Sequence, residues 1–138
     1  MAELKKKVLA VDDEPSILAA LKEILDEKFE FYSAKDGKQA IESMDSVKPD
    51  LIIMDVIMPE MDGFETVKQM RLSARAAVPP VIFLSARSSR AEVDQGLKLS
   101  GLDYITKPFS PSKLVKKIDE VFERLEIRKK LSKRNKRL

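Results

Sequence analysis

The chain has 138 residues, enough for one compact domain and little more, and its 43% hydrophobic content is ample for a core. It contains no Cys and no His, which excludes disulfides, thiolate metal sites, His metal ligands, His-based catalysis and a role as a phosphohistidine carrier. The formal net charge of +3 is uneven: seven basic residues and no acid lie between Arg128 and Leu138, so the other 19 basic residues face 23 acids and the globular part is mildly acidic.

In chain order, Val8-Leu9-Ala10-Val11 is a short apolar run ending on Asp12-Asp13. Glu14-Pro15-Ser16 opens a helix, with Asp13 the expected N-cap and Pro15 in the first turn. Ile17, Leu18, Leu21, Ile24 and Leu25 then recur at helical spacing. Phe29 to Ala34 alternates and is expected to be an edge strand, and Asp36-Gly37 turns into a second helix with Ala40, Ile41 and Met44. Leu51-Ile52-Ile53-Met54 is continuously apolar and ends on Asp55, as expected of a strand covered on both faces. A loop with Pro59 and Met61-Asp62-Gly63 leads to a third helix over about 63–72. Val81 to Leu84 is a fourth strand ending on Ser85, followed by a helix over roughly 89–99. Asp103 to Thr106 is a fifth strand ending on Lys107-Pro108. Ser110-Pro111-Ser112 opens the last helix, with Leu114, Ile118, Val121, Phe122 and Leu125 in one stripe.

Five strands alternating with five helices over short connections predict right-handed βαβ units, a parallel sheet and helices on both faces. In that arrangement every strand's carboxyl end lies on one edge. Four of these ends carry a polar group: the Asp12–Asp13 pair, Asp55, Ser85 and Lys107. With strand order 2-1-3-4-5, the acids meet at the topological switch point, where open α/β sheets bind ligands. Carboxylates about 5 Å apart repel by on the order of 3 kcal/mol per pair at an effective dielectric near 20. A bound Mg²⁺, which prefers hard oxygen ligands, offsets this. Asp carboxylates can act as nucleophiles, and phosphoryl transfer needs mainly positioning and charge neutralisation. Asp55 is therefore the candidate phosphoryl acceptor, with Lys107 and Ser85 reaching other phosphoryl oxygens.

At Val11-Asp12-Asp13-Glu14, Met54-Asp55-Val56-Ile57-Met58-Pro59 with Met61-Asp62-Gly63, Leu84-Ser85-Ala86 and Lys107-Pro108-Phe109, the chain resembles the response-regulator receiver domain of two-component signalling. The resemblance runs from about residue 7 to 125. It implies a flavodoxin-like doubly wound five-stranded sheet, and Asp55 as the residue phosphorylated by a histidine kinase or phosphotransfer protein. It also implies Asp13 and Asp55 as direct Mg²⁺ ligands, Asp12 acting partly through water, and the backbone carbonyl of Ile57 completing the set. Ser85 takes the switch hydroxyl position and Tyr104 the switch aromatic. Lys107-Pro108 matches a bond usually cis in the family. The face of the fourth helix, fifth strand and last helix would change on phosphorylation. It would then signal to a downstream target or an output domain, with a homodimer through that face or the C-terminal helix as an alternative.

Each of these residues has a plainer reading alone: Asp12-Asp13-Glu14 as helix-start acids, Asp55 as a turn former, Ser85 as structural, Lys107 as a solvated lysine and Tyr104 as a strand aromatic. Their joint placement at successive strand ends favours function. An Asp-nucleophile phosphatase of the haloacid-dehalogenase type needs a general acid two residues after the nucleophile, and Ile57 stands there. An inactive receiver used only for interaction fits poorly with the complete acidic set and Lys107. Residues 1–126 are read as the receiver and 127–138 as a basic helical extension or linker, in which Ile127, Leu131 and Leu138 share a second helical face. The domain gives no reason to expect nucleic-acid binding. With no signal-peptide or membrane-span pattern, the chain is expected to be cytoplasmic.

Overall fold

Continuous apolar runs become the strands of one parallel sheet. In the computed structural model, which describes residues 4–73, 77–86 and 103–137, β1 is Lys7–Val11, β2 Glu30–Ala34, β3 Leu51–Asp55, β4 Val81–Ser85 and β5 Asp103–Thr106. Their order is β2-β1-β3-β4-β5, every pairing parallel. Burial follows position in the sheet. All five residues of β3 and of β4 are buried, whereas β2 and β5, at the two edges, are largely half-buried. The alternation of Phe29–Ala34 thus marks an edge strand, as expected from the sequence.

Among the described residues, three helices connect these strands: α1 (Pro15–Leu25), α2 (Gly37–Val47) and α3 (Gly63–Ser73). From β1 the chain passes outward through α1 to β2, then returns through α2 to β3 on the far side of β1. Right-handed crossovers in opposite directions put α1 and α2 on opposite faces. On the α2–α3 face, Leu9, Val11, Ile52, Met54, Val81 and Phe83 pack with Ala40, Phe64, Val67 and Met70. The Phe64 and Phe83 rings meet edge to face at 4.9 Å. The alternate strand residues, including Val8, Ala10, Ile53 and Ile82, are fully buried on the other face, as are Leu21 and Leu25 of α1. Each large side chain buried in this way contributes about 1.5–3 kcal/mol relative to exposure.

Helix ends show which local signals succeed. Asp36 caps α2 by accepting from the Gln39 N–H at 2.8 Å, and the Gln39 side chain accepts from the Lys35 N–H at 2.7 Å. Asp62 caps α3 by accepting from the Glu65 N–H at 2.8 Å. The expectation for α1 is corrected: Glu14, not Asp13, occupies the N-cap and makes no side-chain cap bond. The reason lies next door, where the Asp12 carboxylate accepts from the Glu14 N–H at 2.9 Å and forms the turn. The predicted helix over 89–99 lies outside the described residues.

The chain divides into two compact units, Met1–Pro108 and Phe109–Leu138. The second contains a helix running unbroken from Pro111 to Arg137. Leu114, Ile118 and Val121 are buried, Phe122 and Leu125 half-buried, and every residue from 126 to 135 is exposed. Among the described residues no helix is long and apolar enough to cross a membrane.

Candidate functional site

Strand register brings the polar ends together. Val11 lies opposite Met54, so Asp12, one residue on, comes level with Asp55. Asp55 lies opposite Leu84, and Ser85 opposite Thr106. Backbone bonds extend the alignment past the strands. Asp12 N–H donates to Ala34 O at 3.1 Å, Val56 N–H to Leu84 O at 2.9 Å, and Lys107 N–H to Ser85 O at 2.8 Å. The Lys107–Pro108 bond is cis.

One carboxylate oxygen each from Asp12, Asp13 and Asp55 lies within 4.8 Å of the others. Asp12 and Asp55 are buried and Asp13 is exposed, so the group opens to solvent on the Asp13 side. The Lys107 ammonium donates to Asp12 Oδ2 at 2.8 Å and to Asp55 Oδ1 at 3.2 Å. Both Asp12 oxygens are therefore engaged, one by Lys107 and the other by the Glu14 N–H. Adjacent acids in the sequence have different surroundings: Asp12 is built into the protein and Asp13 faces water.

Burial, and then the negative charge of Asp12, push the Asp55 carboxyl up from 3.8 to about 7, against the opposing pull of Lys107. Burial alone would lower the Lys107 pKa. Its hydrogen bond to Asp12, the charge of Asp12 and then Asp55 outweigh this, and its pKa lies above the ordinary lysine value. Without a further cation the pocket is thus short of positive charge. Three carboxylates with one ammonium make a hard, oxygen-rich site that suits a small divalent cation.

Ser85 is fully buried at the end of β4. Tyr104, level with Phe83, is half-buried and packs against the core cluster. Ile57 keeps half of its surface exposed, two residues beyond Asp55.

The loop after Asp55 contains two features that sequence reasoning missed. Gly63 N–H donates to Val56 O at 2.8 Å, which closes the loop at the first residue of α3. A Cβ on Gly63 would stand 2.2 Å from the backbone oxygen of Asp55, so only glycine allows this approach. Glu60 holds a left-handed backbone, φ 67°, which costs a non-glycine residue about 1–3 kcal/mol. The Met61-Asp62-Gly63 motif marked the loop, but no sequence signal marked Glu60.

A five-stranded, doubly wound parallel sheet with an acidic pocket at its switch point defines a CheY-like, flavodoxin-type α/β domain. The family model described as "Response regulator receiver domain" matches residues 8–119, and the chain belongs to that family. Alkaline phosphatase synthesis transcriptional regulatory protein PhoP of Bacillus subtilis (strain 168) is 37% identical over 125 residues, covering 90% of this chain and 51% of that protein. Transcriptional regulatory protein CpxR of Escherichia coli (strain K12) is 39% identical over 119 residues, covering 86% of this chain and 50% of that protein. The chain thus spans about half the length of these curated relatives. Among solved structures, Vibrio cholerae chemotaxis protein CheY4 is 35% identical with a TM-score of 0.79, covering 85% of this chain and 98% of that one. The Francisella response regulator 1452 receiver domain is 34% identical with a TM-score of 0.77, covering 87% of this chain and 98% of that one. The chain is a receiver domain of two-component signalling, and phosphorylation on an aspartate is the property its family implies.

Proposed function

We propose that Asp55 is the phosphorylated residue of this receiver and that Mg²⁺ is its metal. The observation that carries this is the Asp12–Asp13–Asp55 group within 4.8 Å, with the Lys107 ammonium 2.8 and 3.2 Å from two of its members. Oxygens bound 2.0–2.1 Å from one Mg²⁺ lie at most about 4.2 Å apart. The three acids would hold such a cation, either all directly or with one of them engaged through water. Asp12, with both oxygens already occupied, suits the water-mediated place; Asp13 and Asp55 suit direct contact, with the Ile57 carbonyl as a further donor. When bound, the cation would supply the positive charge that keeps Asp55 ionised and that offsets charge on a phosphoryl group.

In the reaction a carboxylate oxygen of Asp55 attacks phosphorus. The donor is the phosphohistidine of a sensor histidine kinase or phosphotransfer protein, or a small acyl phosphate. An O–P bond forms, the donor's P–N or P–O bond breaks, and the leaving atom keeps the electron pair. Lys107, already beside Asp55, pairs with a phosphoryl oxygen, and the Ser85 hydroxyl donates to another. Ser85 and Tyr104 carry the change toward β5, shifting an existing equilibrium read by a downstream target or output domain. The domain acts on its own Asp55 and later loses the group by hydrolysis, so it is a switch and not a turnover enzyme. This reading keeps 1–126 as the receiver, 127–138 as its extension, and a cytoplasmic setting.

The test is the intact mass after incubation with acetyl phosphate. The protein should gain one phosphoryl group with Mg²⁺, and none with a chelator or as Asp55→Asn. Equal uptake by Asp55→Asn, or no uptake by the parent, contradicts the proposal.

A further inference from the structure

The C-terminal helix changes its apolar face partway along. At about 100° per residue, Leu114, Ile118, Val121 and Leu125 fall within roughly 60° of one another. Ile127 and Leu131 fall about 130° around the helix from that stripe. The first stripe is buried or half-buried, whereas Ile127 and Leu131 are 50% and 52% exposed. The second stripe is narrow, with the four-residue step of a coiled-coil d–a pair, and a third seam position falls on Arg134. Arg128 and Lys130 flank it at the e and g positions. The last turns of this 27-residue helix are exposed from residue 126 to 135, and the two apolar residues left in water there gain by being covered.

The charges define what can cover this seam. From Arg128 onward there are seven basic residues and no acid. A second copy would set Arg128, Lys130 and Arg134 against their own equivalents, and like charges across a seam disfavour pairing. A broad lipid-facing surface is absent, because the stripe is a narrow seam and not the wide apolar face of an interfacial helix. We propose that residues 127–134 form a docking seam for an acidic amphipathic helix of another protein. That helix would present apolar residues to Ile127 and Leu131 and carboxylates to Arg128, Lys130 and Arg134. This is independent of the phosphoacceptor reading.

The test titrates the full chain against a labelled three-heptad peptide with Leu at a and d and Glu at e and g. Fluorescence anisotropy reads binding at low and at physiological salt. The parent should bind this peptide at least tenfold more tightly than a scrambled peptide of the same composition, and more weakly as salt rises. Leu131→Asp should lose at least tenfold. The exposed triple variant Arg128→Glu, Lys130→Glu, Arg134→Glu should switch preference to the same peptide with Lys at e and g. Circular dichroism of each variant reports that the domain is intact. Equal binding of the scrambled peptide, tighter binding of duplex DNA than of the acidic helix, self-association of the parent in sedimentation, or no binding at low salt would each overturn the proposal.

Discussion

Asp55 is asked to be ionised in a place that disfavours its charge. Its carboxyl is buried beside Asp12 and titrates near pH 7 in the metal-free protein, up from 3.8. The native state therefore holds a proton between about pH 4 and 7 that the unfolded chain has released, so metal-free stability falls as pH rises through that window. Asp55→Asn removes the charge. It should raise the metal-free melting temperature at pH 8, by on the order of 5 °C for each kcal/mol recovered, and change it little at pH 4. Mg²⁺ must displace that proton to bind, so it should stabilise the parent more at pH 8 than at pH 5.5. A melting-temperature series in pH, with and without Mg²⁺, checks both; a flat series contradicts the burial argument. Ile57 makes a separate prediction. Its aliphatic side chain cannot orient an attacking water, which favours a long-lived phosphoryl group. Ile57→Asn should lose label roughly tenfold faster, about 1.4 kcal/mol of barrier, in a chase after donor removal. A variant no faster than the parent counts against this.

The β3–α3 connection is where an element's geometry serves the site. Gly63 lets the start of α3 approach the Asp55 carbonyl, and its N–H holds Val56 O. Gly37, the first residue of α2, makes a similarly tight approach, but to side chains: its Cβ would stand 2.4 Å from Thr66 Oγ1 and 2.8 Å from Met61 Cε. Alanine at either position should destabilise, by roughly 1–3 kcal/mol. Only Gly63→Ala should also displace Asp55 and weaken Mg²⁺ affinity at least tenfold, measured by calorimetry on both variants. Equal metal affinity in the two would remove Gly63 from a positioning role. At this scale the sequence was readable where one local rule governs. Asp36 before Gly37 capped α2, and Pro111 opened the last helix, as their residue types suggest. It was unreadable where two rules compete. Asp13 is a competent cap by residue type, but the Asp12 carboxylate, paired with Lys107, accepts from the Glu14 N–H, and the cap position falls on Glu14.

Across the whole molecule, the order β2-β1-β3-β4-β5 does most to build the pocket, because it makes neighbours of strands whose ends carry the acids. The unbroken apolar runs at 51–54 and 81–84 announced fully covered central strands, and the polar residue ending each run announced the site. What escaped was set by backbone geometry and by one long-range contact: the space beside the Asp55 carbonyl that leaves no room for a Cβ at Gly63, the left-handed Glu60, and Asp12 held both by the nearby Glu14 N–H and by Lys107, 95 positions further on. The curated relatives extend to about twice the matched length.

The central claim is that Asp55 carries the phosphoryl group. Its most direct measurement is peptide mapping of the adduct formed with acetyl phosphate and Mg²⁺, by tandem mass spectrometry. The adduct should sit on Asp55, within the tryptic peptide spanning residues 39–68. An adduct on Asp12, Asp13 or Ser85 in its place would contradict the account.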